Sequence, residues 1–121
     1  MAIPPTAVKF AGTLDPQEEL DFAINCAGLL EAGETIASYT LTVLAEAVAL
    51  GLTIMSGGGR NHALNDSETG IDLWLTIDPG FQTNAAFDGA GTPLPLHVQF
   101  ETDSSPARTR ERTFLVQVAQ Q

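Results

Sequence analysis

Ile71-Asp72-Leu73-Trp74-Leu75-Thr76-Ile77 is the stretch on which the fold turns. Its apolar residues fall on every second position, which is the period of a β-strand with one buried face. Ile71, Leu73, Leu75 and Ile77 take the inner face. Asp72, Trp74 and Thr76 take the other, so the one tryptophan of the chain is expected to point away from the core. Asp78-Pro79-Gly80 stops the strand with turn residues.

The same alternation continues on both sides. Upstream, Val8 and Phe10 mark a strand in residues 6–14. Asp15-Pro16 then turns the chain into a second strand, with Leu20, Phe22, Ile24 and Cys26 on one face. Residues 36–43 place Tyr39, Leu41 and Val43 on one face and Ser38, Thr40 and Thr42 on the other. LAEAVAL at 44–50 is rich in helix formers but short and ended by Gly51. It is expected to be a helical turn or bent connection before a strand at 52–55. Gly57-Gly58-Gly59 opens a polar loop to about Gly70, for which composition predicts mobility. Downstream, residues 81–95 read as a long irregular connection. Val98, Phe100 and Thr102 mark the next strand, Asp103 to Pro106 a turn, and Phe114, Val116 and Val118 the last strand. About seven short strands with little helix predict an all-β fold, an Ig-like antiparallel β-sandwich forming a single domain over residues 1–121.

Composition sets the outer bounds. The chain has 121 residues, of which 44% are hydrophobic, enough for one core. Fifteen Asp and Glu face five Lys and Arg, a net charge of −10. Such a surface repels phosphate, so neither nucleic acid nor an anionic membrane is an expected partner. The longest apolar run, residues 47–55, is far short of a membrane span. The N-terminal residues lack the pattern of a secretory signal, which predicts a protein made soluble in the cytoplasm.

Residues with chemical potential are few. Cys26 with His62 or His97 suggests a nucleophile and base. Its alignment with Phe22 and Ile24 instead predicts a small core residue. Asp66, Glu68 and Asp72 form the densest carboxylate group, but their spacing matches no calcium loop, and two histidines do not complete a zinc site. Gly57-Gly58-Gly59-Arg60 lacks the Lys-Ser/Thr of a phosphate loop. No catalytic residue, cofactor or metal is expected.

Arg108, Arg110 and Arg112 stand out, three of the five cations within five residues. They share parity with Phe114, Val116 and Val118, the core face. Either a bulge shifts the register or the arginines run beyond the edge of the sandwich. They serve as edge guards against strand pairing, or anchor a carboxylate-bearing partner. With Trp74, expected to lie under the 81–95 connection or under another chain, they are the candidate contact residues.

Two stretches carry a resemblance: AGETIASYTLTV at 32–43, followed by GLTI at 51–54, and ARTRERTFLVQV at 107–118. They resemble small Ig-like virion proteins of tailed bacteriophages, in which a GETI-type strand, a GLT turn and a closing GRT…R(S/T)F strand recur. This chain departs by inserting LAEAVA before Gly51 and by having Ala107 where glycine is usual. The resemblance implies a structural, non-enzymatic role on the capsid surface as a decoration or cement protein. Its partners would be the major capsid protein or copies of itself, with a trimer preferred. It also admits a neck, tail or fibre position, including an adhesin that grips host glycans with residues 57–70, Trp74, Phe81 and Phe87.

Overall fold

A computed structural model describes residues 3, 4 and 6–121. Eight strands form two sheets: β1 (Val8–Leu14), β2 (Glu19–Asn25), β3 (Ile36–Val43), β4 (Leu52–Ile54), β5 (Ala63–Leu64), β6 (Gly70–Ile77), β7 (Thr92–Thr102) and β8 (Thr109–Val118). One sheet runs β1-β8-β7-β3. The other runs β2-β6-β4, with β5 beside the first half of β6. If the two-residue β5 is set aside, the second, fourth and fifth strands share one sheet and the third, sixth and seventh the other. That is the immunoglobulin-type order. All pairings are antiparallel except that of β1, which runs parallel to β8. This first strand switches to the opposite sheet from β2, so the wholly antiparallel expectation fails there.

The core lies between the inner faces. Ile71, Leu73, Leu75 and Ile77 are all fully buried, as their alternation predicts. They meet Leu94, Leu96, Val98 and Phe100 of β7 and Phe114, Val116 and Val118 of β8. β3 contributes Tyr39, Leu41 and Val43, which pair with Phe100, Val98 and Leu96. LAEAVAL forms the short helix α1 (Ala45–Val48), which carries the chain between sheets and buries Ala47. Among the described residues no helix is long and apolar enough to cross a membrane.

Two expectations about loops are corrected. The polar stretch ending at Gly70 is not irregular throughout, because β5 pairs with β6 to make a hairpin. The Asn65 side chain accepts from the Thr69 amide at 3.0 Å, the Asn65 amide bonds the Gly70 carbonyl, and Glu68 takes the left-handed turn position at φ 57°. The downstream connection ends at Thr92 rather than Pro95. Its remainder folds into two 3₁₀ turns, each started by a side-chain cap: Asp78 on the Gly80 amide and Asn84 on the Ala86 amide. This segment closes one end of the sandwich. Phe87 enters the core with no exposed surface, and its carbonyl accepts from the Gln120 amide. Gln82, Gln117 and Gln120 tie the segment down through side-chain bonds to backbone carbonyls.

Candidate interaction surface

The arginine run lies within β8, and the β7–β8 ladder has no register shift. No bulge therefore turns the arginines outward. Arg110 stands opposite Phe100 and Arg112 opposite Val98, on the core-facing side. Both are half-buried rather than enclosed, and they precede the point at which β1 begins to pair with β8, at Val8–Phe114. Residues 109–113 extend past the end of β1, which is the beyond-the-edge alternative.

The three arginines do not act as one patch. Arg108 is consumed inside the molecule. Its guanidinium grips Glu34 through both Oε atoms, donates to the Leu29 carbonyl at 3.2 Å, and lies 3.7 Å from Glu31. The Glu34 side chain is nearly enclosed, and its Oε1 also accepts from the Glu31 amide at 2.9 Å. A forked pair of this kind fixes orientation as well as charge. Nearby, Asp103 accepts from the Thr35 amide, and Thr102 Oγ1 accepts from the Arg108 amide. The loop before β3 and the turn before β8 are thereby locked together. Arg112 reaches only the Glu111 carbonyl, at 2.9 Å, and Arg110 has no ion pair or hydrogen bond among the described residues.

The Arg108 guanidinium holds the Glu34 carboxyl well below the usual carboxylate range, and the Glu31 amide adds to this. In the unfolded chain Glu34 titrates near ~4.3. A lowered folded value contributes stability that is complete above that pH and is lost as pH falls through ~4.3 and below. Glu34→Gln is expected to lower the melting temperature at pH 7 and to flatten the acid limb below about pH 4. Parallel melting profiles for variant and parent between neutral pH and pH 2 would show that this pair is not the acid-sensitive element.

Trp74 is half-buried on the outward side that its parity predicts, and the cation against its ring is Arg60. The Arg60 guanidinium sits 5.1 Å from the ring centroid and pairs with Glu19 at 3.5 Å. A cation over an indole at a partly exposed site is worth ~0.5–1 kcal/mol. Arg60→Ala should red-shift Trp74 emission and raise its quenching by acrylamide, with a stability loss of about that size. Unchanged quenching would mean that Arg60 does not shield the ring in solution.

The remaining candidates are placed as follows. Cys26 is fully buried in the core cluster just past β2, and burial pushes its thiol up to about 11, which removes the thiolate at neutral pH. His62 is engaged with Tyr39, whose hydroxyl lies 2.7 Å from Nδ1, across the seam between the β3 edge and the other sheet. His97 faces Glu111 at 3.5 Å on the outer side of the β7–β8 sheet. Asp66 and Glu68 belong to the β5–β6 turn and Asp72 to β6. Among the described residues no group of three His, Cys, Asp or Glu is gathered as metal ligands. Glu34 is the residue that sequence reasoning missed. It lies 74 positions from Arg108, and nothing local distinguishes it from the other carboxylates.

Known protein families, curated proteins and solved structures yield no match to this chain.

Among the described residues, no strand pairs with the outer edge of β8 over residues 109–112. A shallow groove beside it on the outer face is lined by Pro4, Thr6, Thr42, His97, Glu111 and Arg112.

Proposed function

We propose that this chain is a structural, non-enzymatic virion protein of a tailed bacteriophage, a decoration or cement protein that binds the major capsid lattice from the capsid surface. The Glu34–Arg108 pair is the observation that carries the reading. The two stretches that resemble phage virion domains are far apart in sequence, yet Glu34 of the GETI stretch grips Arg108 of the closing stretch. A likeness spread over two separate motifs is better supported when those motifs meet in one structural element. A rigid sandwich with a locked end suits docking by surface complementarity. The net charge of −10 favours solubility before assembly. A symmetric arrangement of copies, with a trimer preferred, is what the resemblance to phage virion proteins implies.

The glycan-adhesin alternative has less support. It needs aromatic rings on one open surface, but Phe87 is in the core and Trp74 lies beneath Arg60 on the other side of its sheet. The test is to add the purified protein to capsid shells that lack it, and to count copies on complete particles by mass spectrometry. Saturable binding with a copy number comparable to that of the capsid protein supports decoration. A handful of copies per particle moves the protein to the neck or tail. Binding to polysaccharide but to no shell rejects the reading.

A further inference from the structure

We infer that the edge of β8 at residues 109–112, with which no described strand pairs, is a strand-addition site for an extended, acidic segment of a partner protein, with Arg110 and Arg112 selecting carboxylates at alternate positions. The inference does not depend on the virion role.

The backbone supplies the first argument. The Arg108 carbonyl accepts from the Thr102 amide, toward β7, and the ladder continues from there without a shift. In an antiparallel ladder the hydrogen-bonding direction alternates with each residue. The amides and carbonyls of Thr109 and Glu111 therefore point to the side away from β7. β1 does not pair with them: its ladder with β8 begins at Val8–Phe114, the Ala7 amide is bonded to the Pro4 carbonyl, and Pro4 and Thr6 border the groove beside Glu111 and Arg112 without a backbone bond to either. Among the described residues, the group bonded to the Glu111 carbonyl is the guanidinium of the adjacent Arg112. A row of unpaired donors and acceptors at a sheet edge is a template for another strand.

Charge decides the occupant. Arg110 and Arg112 lie on one face of this edge without a carboxylate partner among the described residues, in a chain with fifteen Asp and Glu. An added strand places alternate side chains on that same face, so carboxylates two residues apart meet the two guanidinium groups. A second copy of this edge is the wrong occupant. Two-fold pairing of β8 with β8 sets arginines against arginines, and like charges opposed across a strand pair are destabilising. The same pair of charges thus repels copies and attracts acidic strands.

The test uses the full chain and a decapeptide alternating threonine with glutamate, in low salt. One control peptide carries glutamine for glutamate, and a second carries a central proline. The glutamate peptide is expected to bind and to slow hydrogen exchange at the Thr109 and Glu111 amides. Arg110→Ser with Arg112→Ser should weaken it about tenfold, the combined loss of two exposed charge pairs. Glu111→Pro removes an edge donor while sparing the β7 ladder, and should abolish binding. Should that variant not fold, amide exchange in the parent still decides. Binding without protection at Thr109 and Glu111, or no binding at millimolar peptide, overturns the proposal. So does a homodimer in which those two amides are protected.

Discussion

Phe87→Ala is expected to cost ~3–5 kcal/mol, the usual range for removing a buried phenylalanine. Against a total stability of ~5–15 kcal/mol for a small domain, that is a large share. The melting temperature should fall by about 10 °C or more. The ring has no exposed surface and sits on a 3₁₀ turn of three residues that has little packing of its own. Without the ring, the Asn84 cap and the bond from Gln120 to the Phe87 carbonyl hold a segment that no longer fills the end of the core. Calorimetry or a denaturant titration measures the loss. A decrease of only a degree or two would mean that the 3₁₀ segment does not close the sandwich in solution.

Gly91→Ala should be comparably damaging, for a different reason. Gly91 has φ 74°, in the left-handed region, where a Cβ costs ~1–2 kcal/mol. A Cβ there would also lie 2.0 Å from the Val118 carbonyl oxygen and 2.6 Å from the Ala119 Cβ. A backbone carbonyl in the last strand cannot rotate aside, so β8 or the start of β7 must shift. Gly58→Ala is the matched control. It has φ 60° but nothing within 4 Å, so it carries only the conformational cost. The denaturant midpoint of Gly91→Ala should lie well below that of Gly58→Ala. Equal midpoints would show that the close approach of β7 to β8 at Gly91 is relieved in solution.

Much of the strand framework was legible because alternation is a local signal. The face assignments of β3 and β6 hold residue by residue, and Cys26 is the core residue that its alignment with Phe22 and Ile24 indicates. The outward direction of Trp74 follows from parity alone. What shields Trp74 was not legible, because Arg60 reaches it from a glycine-rich loop whose path composition does not set. The start of β7 was placed too late, since Pro93 and Pro95 read as loop residues although both lie in the β7–β8 ladder. The hairpin at β5 was hidden because two residues carry no period.

The sequence by itself determined which side chains of β3 and β6 face inward and that the chain makes an all-β sandwich, because hydrophobic burial on a pleated strand repeats every two residues. It also determined that three arginines share one side of the last strand. Only the tertiary structure decided what each arginine does. Arg108 finds Glu34 because the β3 and β8 ends are brought together through β7. Arg110 and Arg112 meet no carboxylate among the described residues, on the part of β8 that lies before β1 joins it at Phe114. Strand pairing couples residues far apart in the chain, and no pattern confined to neighbouring positions records where one strand stops against another.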